Sequence, residues 1–184
     1  METDQSLLDA ARKLDQNALV VIFDRYATEL YNYALRIWED PLKADSAVGD
    51  VFTKFLEQLV TGKEPQTCLR SHLYKMAYQF IANEPQFSRH EVTLSLVDFE
   101  PDNGNGYHSA TSDANDKVLA DKAIAAIKEH LTADQRHVII LHFLEGFSLP
   151  ETAEIVGKRV NNVKAIQNRA IAKLCRVLDY QVSI

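Results

Sequence analysis

Cysteine is scarce in this sequence, and no apolar run approaches the length that crosses a membrane. Only Cys68 and Cys175 are present among 184 residues, and their spacing excludes a disulfide framework. Reduced thiols in a cytosol are the expected state. The N-terminal stretch METDQSLLDAARK is acidic and amphipathic, unlike a secretory signal. We therefore expect a soluble, cytoplasmic protein with no membrane insertion.

The sequence also lacks the motifs of common catalytic and ligand sites. DNGNG is not preceded by a strand or followed by a lysine, so it is no phosphate loop, and no serine or cysteine has a nucleophile motif. Cys68 and His72 lie four residues apart, but without a second such pair a structural role is favoured over a metal. Glu151 and Glu154 are interpreted as a helix cap and a surface charge. We expect no enzyme, metal, cofactor or small-molecule substrate.

Excess positive charge is missing from the chain as a whole, although the charges are unevenly placed. The formal net charge is −6 and the sequence pI about 5.5. Residues 1–90 carry 10 basic and 13 acidic side chains, residues 91–116 carry none and 6, and residues 117–184 carry 10 and 7. The acidic middle segment is either a nucleic-acid mimic or a solvated spacer. An acidic segment thus separates a nearly neutral block from a mildly basic C-terminal one.

Helical periodicity dominates the part of the chain before this segment. Apolar residues recurring at steps of three and four, among them Phe23, mark the inward face of one long helix with Asn17 as its N-cap. A second helix is predicted from Pro41, and a third ends before Pro85, because proline disfavours helical geometry in the preceding residue. With a short leading helix, these form a bundle.

The rest of the chain predicts a linker followed by more helices. Pro, Gly, Ser, Asn and Asp are common in the stretch after Pro85. TADQ, residues 132–135, is a capping box, and VIILHFL predicts a buried central helix that ends at Gly146. The predicted fold is all-α, with two small helical domains joined by an acidic linker. Residues 1–90 form the N-terminal bundle, 91–115 the flexible linker and 116–184 a four-helix domain with a helix-turn-helix.

The C-terminal stretch SLPETAEIVGKRVNNVKAIQNRA has the spacing of that helix-turn-helix. Ser148 and Glu151 predict a capping box. A small Ala153 suits two helices that cross steeply, and Gly157 can adopt the left-handed conformation that the turn requires. Val163 returns to the angle between the helices, together with Ile166, Ala170 and Leu174.

The same helical rotation turns a second set of residues outward. Asn, Lys and Arg can bind phosphates and base edges, and an exposed alanine permits close approach to a groove. The alternative is a helical hairpin with a solvated polar face, but the capping box, the spacing and the basic turn favour DNA. The predicted DNA-binding residues are Lys158, Arg159, Asn161, Asn162, Lys164, Ala165, Asn168 and Arg169.

Both halves resemble one protein family. LTADQRHVIILHFLEGFSLPETAEIVGKRVNNVKAIQNRAIAKL resembles the C-terminal promoter-binding domain of bacterial sigma factors, especially the extracytoplasmic-function (ECF) group. FDRYATELYNYALRIWEDPLKADSAVGDVFTKF, followed by LRSHLYKMA, resembles the other domain of that group. The two matches occur in the expected order and cover most of the chain.

The resemblance implies a transcription initiation factor with three partners: core RNA polymerase, promoter DNA and an anti-sigma protein. The second helix would bind a coiled coil of the polymerase. The end of the third helix and the loop beyond it would read and help melt the minus-ten element. The C-terminal helix pair would read the minus-thirty-five element. The residues that the resemblance assigns to polymerase binding are Asp45, Asp50, Phe52 and Lys54.

The sequence departs from the family pattern at several positions. The family usually has an acidic residue at the position of Ser46 and a glutamine at that of Gly49. Pro85 shortens the third helix, and an arginine cluster is missing there, which weakens the expected phosphate contact. These departures keep two alternatives open: a stand-alone helix-turn-helix regulator, or a sigma-like decoy that binds an anti-sigma protein.

Overall fold

The computed structural model of the protein describes residues 3–63, 68–83 and 124–182, with side chains described as far as residue 177. The predicted linker and the loop expected to help read the minus-ten element lie outside the described residues. Within the described ranges the chain is helical with no strand, which confirms the all-α prediction.

Four helices form the N-terminal half: α1 (Asp4–Ala11), α2 (Gln16–Trp38), α3 (Pro41–Thr61) and α4 (Leu69–Asn83). Asp40 caps α3 by accepting the backbone N–H groups of Leu42 and Lys43, and Pro41 occupies the first turn, as predicted. The predicted cap of α2 was wrong. Asp15, two residues before Asn17, accepts the N–H of Ala18 at 3.0 Å.

The apolar faces of these helices meet in a core that includes Tyr33, Phe55 and Leu73. The inward assignment of Phe23 was wrong, because its side chain is 46% exposed while that of Ile22 is fully buried. The steps of three and four that connect the apolar residues of α2 are satisfied by Ile22 as well as by Phe23. Packing against α3 buries Ile22 and leaves Phe23 at the edge of the core. The centroid of the Phe23 ring lies 4.7 Å from that of Phe52.

The C-terminal half contains α5 (described over residues 124–130), α6 (Ala133–Ile139), α7 (Leu149–Ile155) and α8 (Val160–Val182). The capping box of Thr132 and Gln135 opens α6, as predicted. The helix then widens into a π-helical turn, Ile140–Leu144, and ends at Gly146, whose φ is +74°. The predicted buried central helix is therefore buried only in part. Val138 and Leu141 are buried, but Phe143 is 53% exposed.

The two halves share one continuous hydrophobic cluster. Side chains of α2 and α4 pack with Val138, Leu141 and Phe147 of the C-terminal half, and α4 lies against α7. The sequence predicted two helical domains without fixing their arrangement, and the structure shows them closed against each other.

No helix in the described part of the chain is long and apolar enough to cross a membrane. The same residues contain no cluster of His, Cys, Asp and Glu with the geometry of a metal site. His72 Nε2 lies 2.6 Å from Gln58 Oε1, and Cys68 is exposed. The contact with Gln58 gives His72 a structural partner.

Gly49 provides a stability prediction, since it lies in the interior of α3 and is exposed. A Cβ built there meets no atom within 4 Å. Gly49→Ala is therefore expected to stabilise the fold by about 0.5–1 kcal/mol, because glycine loses more backbone entropy in a helix than alanine does. Urea unfolding followed by circular dichroism measures the change. An unchanged or lower free energy of unfolding would contradict the prediction.

Candidate nucleic-acid interface

The interface begins at the N-terminus of α7, where the predicted capping box is present. The backbone N–H of Ser148 donates to Glu151 Oε2 at 2.8 Å, and the N–H of Glu151 donates to Ser148 Oγ at 3.4 Å. Hydrogen bonds from the Ser148 hydroxyl and backbone lower the pKa of Glu151. Glu151 is thus a cap, as the sequence predicted, and the box fixes where α7 starts.

Gly157 makes the turn between α7 and α8, as expected. Its φ is +65°, a left-handed conformation that costs an L-residue with a side chain about 1–2 kcal/mol. The N–H of Lys158 returns to the carbonyl oxygen of Ala153 at 3.0 Å, which satisfies the end of α7. The carbonyl oxygen of Arg159 then accepts from Asn162 and Val163, so that α8 begins within three residues.

Three of the predicted residues, Ala153, Val163 and Ile166, are buried together in the main hydrophobic cluster, at the angle between α7 and α8. Ala170 and Leu174, which were predicted to join them, pack instead with Leu131 and Ile139 in a second, smaller cluster. An alanine at closest approach lets the two helix backbones cross tightly. This packing fixes the rotation of α8 about its own axis, and with it the residues that face outward.

The outward face of α8 contains all six predicted members of the site that lie on this helix. Each of them is exposed: Asn161, Asn162, Lys164, Ala165, Asn168 and Arg169. Sequence reasoning did not single out Gln167, which is 8% exposed and belongs to the inner face. It also missed Lys173 and Arg176, which are exposed beyond the predicted set. Arg176 follows Arg169 by seven residues, or about two helical turns, and this spacing could have placed it on the same side of α8.

The cations of this region differ in their availability. Lys158 Nζ lies 3.1 Å from a carboxylate oxygen of Asp134, so this lysine is partly neutralised by its own domain. Arg169 is exposed, and its Nε donates to the carbonyl oxygen of Ala165 at 3.2 Å. Arg159 and Lys164 are exposed. The arrangement is a basic and amide-rich helix face that suits a polyanion.

The residues assigned to polymerase binding lie on α3 and divide into two groups. Asp45, Asp50 and Lys54 are exposed, whereas Phe52 is only 9% exposed and contacts Phe23. Lys54 Nζ pairs with Glu57 at 3.2 Å. Exposed apolar side chains of α2 and α3 accompany the three exposed polar residues; they are Val20, Phe23, Leu42, Leu56 and Val60.

The described end of α4 offers few aromatic rings for base stacking. The ring of Tyr78 makes an edge contact with His137, with centroids 4.9 Å apart, and Phe80 packs against the core. Phe87, Arg89 and His90 lie outside the described residues.

Gly157→Ala is the matched counterpart of Gly49→Ala, since a Cβ meets no atom within 4 Å at either position. We expect Gly157→Ala to destabilise the protein by about 1–2 kcal/mol, because here the left-handed φ alone opposes the side chain. Urea unfolding shows whether the free energy of unfolding rises in Gly49→Ala and falls in Gly157→Ala. Stabilisation by both substitutions would contradict the assigned turn geometry.

The family model for "Sigma-70, region 4" matches residues 121–174, which contain α6, α7 and most of α8. This part of the chain is thus similar to sigma-70 region 4, and the match includes the helix pair α7 and α8 that the spacing predicted.

Similarity to individual proteins extends beyond that domain. The chain is 24% identical over 172 residues to the ECF RNA polymerase sigma factor BldN of Streptomyces coelicolor, covering 94% of this chain and 64% of BldN. It is 25% identical over 172 residues to the ECF RNA polymerase sigma factor SigX of Bacillus subtilis, covering 86% of this chain and 82% of SigX. The chain therefore spans slightly less than two thirds of BldN. These matches confirm the resemblance to the ECF sigma factors.

Two solved structures have the same fold. CnrH, solved in complex with the cytosolic domain of CnrY, gives a TM-score of 0.71 at 21% identity and covers 97% of this chain and 99% of CnrH. The sigma factor RpoE of Bartonella quintana, solved with the anti-sigma factor NepR, gives a TM-score of 0.58 at 22% identity. The match covers 85% of this chain and 94% of RpoE. At these identities the comparison establishes the fold.

Proposed function

We propose that this protein is an ECF-type sigma factor that binds core RNA polymerase and directs transcription initiation at selected promoters. The supporting observation is the outward face of α8, where six predicted DNA contacts are exposed together in a domain of the region 4 family. A helix of this kind enters the major groove, in which every base pair presents a distinct hydrogen-bonding pattern. The proposed target of α8 is the minus-thirty-five element.

The proposed polymerase contact is the exposed surface of α3. Asp45, Asp50 and Lys54 provide charges, and Leu56 and Val60 of the same helix are 42% and 70% exposed. Large apolar side chains left in water next to charged groups are typical of protein interaction surfaces. Phe52 would support this surface from beneath, because it is buried against Phe23.

An anti-sigma protein is the proposed regulatory partner. BldN and SigX are named as ECF sigma factors, and the RpoE structure contains its anti-sigma factor NepR. Because its proposed targets are polymerase and promoter DNA, the protein would act in the cytoplasm and without catalysis of its own.

The proposal is tested by adding the full chain to bacterial core RNA polymerase. Affinity capture measures binding to the polymerase, and run-off transcription from a library of genomic fragments measures initiation. We expect capture and transcription from a small subset of the fragments. Asp50→Lys is expected to weaken capture at least tenfold, while Asp9→Lys, a charge reversal on α1, serves as the control.

The outcomes separate the proposal from its two alternatives. A stand-alone regulator would bind duplex DNA but would neither join the polymerase nor start transcription. A decoy would bind neither polymerase nor promoter DNA and would bind only an anti-sigma protein. Either result would overturn the proposed function.

A further inference from the structure

The outward face of α8 is divided between short and long polar side chains. Asn161, Ala165, Asn168 and Ala172 follow one another at steps of four, three and four residues, and all four are exposed. Such steps keep residues on one line along a helix. We call these four residues the central line of α8.

Burial on the opposite side of α8 fixes the direction of this line. Val163 and Ala170 are both 0% exposed. They lie about half a turn round the helix from the central line, at about 100° per residue. The central line therefore faces directly away from the side of α8 that packs within the domain.

The cations of α8 lie beside the central line. At about 100° per residue, Lys164 lies about 70° round the helix on one side of the line, and Arg169 about 70° on the other. Both are exposed, and Arg176 follows Arg169 on the same side. The sequence has no Asp or Glu between Gly157 and Arg176. The face thus has amides and methyl groups at its centre and positive charges along its flanks.

This division matches the shape of the major groove, where the bases form the floor and the phosphates form the two rims. The long side chains of lysine and arginine can reach the rims from the flanks of the helix. An asparagine amide reaches a base only where the helix backbone comes close, which Ala165 and Ala172 permit. The position of each residue therefore assigns base contacts to the amides and phosphate contacts to the cations.

An amide at the centre of the face selects adenine. The side chain of asparagine has an NH2 donor and a carbonyl acceptor next to each other. On its major-groove edge adenine presents N7 as an acceptor and the N6 amino group as a donor, so both hydrogen bonds form together. Guanine offers two acceptors on this edge, cytosine a donor, and thymine an acceptor beside a methyl group. Only adenine therefore pairs with both halves of the amide.

We propose that Asn161 and Asn168 are the base-reading residues of α8, and that each selects an adenine in the major groove of the target duplex. This inference rests on the proposed function and deepens it by naming the class of sequence that α8 binds. The two residues are seven positions apart, which is about 10 Å at about 1.5 Å per residue, or about three base pairs at about 3.4 Å each. The target is expected to contain two adenines at about this separation.

Selection of duplexes from a random-sequence pool on the full chain tests the assignment. The duplexes selected by the wild-type protein are expected to share two adenines. Asn161→Ala and Asn168→Ala are each expected to relax the preference at one of these adenines and to leave the other unchanged. Both variants should fold, because the two positions are exposed and alanine has a higher helix propensity than asparagine. Circular dichroism verifies the fold.

Asn162→Ala is the matched control. Asn162 is an exposed asparagine next to Asn161, but it lies about 90° from the central line at about 100° per residue. Its replacement removes the same amide group, so any fall in affinity should be equal for all duplexes, with both adenine preferences retained. Loss of an adenine preference in this control would overturn the assignment to the central line.

A modified base tests the contact at the level of one atom. Replacing one shared adenine with 7-deazaadenine removes N7 and leaves the pairing with thymine unchanged. Measured by fluorescence anisotropy, the wild-type protein is expected to bind this duplex about tenfold more weakly, because an amide donor is left without its acceptor. Asn168→Ala should bind the modified and unmodified duplexes equally at its own position and stay sensitive at the other. Equal sensitivity of the wild type and the variant at both positions would overturn the proposal.

The outcome of the selection separates this inference from the proposed function. Shared guanines that are lost in Arg169→Gln would show that arginine reads the bases, which overturns the inference and retains DNA binding. Shared bases that persist in both Asn161→Ala and Asn168→Ala would have the same consequence. A wild-type chain that selects no duplex would overturn the proposed function, and the inference with it.

Discussion

Replacing both Lys164 and Arg169 with glutamine is expected to lower affinity for duplex DNA at least about tenfold and to reduce the salt slope by about 2. Both side chains are exposed on the outward face of α8. Each cation that neutralises a phosphate releases about one counterion, so losing two contacts removes about two units from the log–log slope. The probe is a duplex selected from a random-sequence pool on the wild-type protein, with fluorescence anisotropy measured at several salt concentrations.

The control for this experiment removes the same charge elsewhere. Lys13 and Lys54 are exposed in the N-terminal half, and glutamine at both positions changes the net charge equally. If the effect came from the overall field of the protein, both double variants would lose affinity alike. Unchanged affinity and salt slope in the Lys164/Arg169 variant would remove the DNA-binding role of α8, and the initiation-factor proposal with it.

Acidification from pH 7.5 to pH 5 is expected to destabilise the closed, folded protein by about 2 kcal/mol through His137 alone. Burial lowers the pKa of His137 from its ordinary 6.5 to about 4, with a smaller opposing effect of Asp134 and a further lowering by Arg136. The imidazole lies against Tyr33 of α2, at 2.8 Å from its hydroxyl, and against the ring of Tyr78 of α4.

The sign follows from which state takes up the proton. The folded pKa lies below the unfolded value, so between pH 6.5 and about 4 the unfolded chain binds more protons than the folded one. The contribution of His137 to the free energy of unfolding is therefore greatest above pH 6.5, falls as the pH drops through this window and levels off below about 4. Carboxylates with ordinary pKa values remain largely ionised at pH 5.

Urea unfolding at several pH values measures this dependence, with His137→Gln as the variant that removes the titrating group. The glutamine amide can still bond to the hydroxyl of Tyr33. The relevant quantity is the difference in slope between the two proteins, which is insensitive to any constant loss of stability in the variant. Equal slopes between pH 7.5 and 5 would show that His137 is not the group responsible.

The local parts of the DNA-binding element could be read from the sequence. The capping box of Ser148 and Glu151 and the turn at Gly157 involve residues within a few positions of one another, so short-range rules suffice. The outward face of α8 followed from the same logic, since burying Val163 and Ile166 fixes the helix rotation. Periodicity was weaker where neighbouring residues were both apolar, as for Ile22 and Phe23.

Recognition of both halves came from residue patterns along the chain, which the region 4 match and the ECF relatives confirm. The assignment of individual residues to polymerase binding stays a prediction. The structure adds that Phe52 is buried, which the spacing of α3 alone did not reveal because the neighbouring Val51 is buried as well.

The sequence by itself determined the helices, the caps at Asp40, Thr132 and Ser148, the tight turn and the residues that α8 turns outward. Each of these depends on contacts within one or two helical turns. Only the tertiary structure decided that the halves close on each other. Glu145 meets Arg36 across 109 positions, and Tyr33 meets His137 across 104. Such pairings leave no periodic signal in the chain, since they arise when separate helices bury their remaining polar groups against one another.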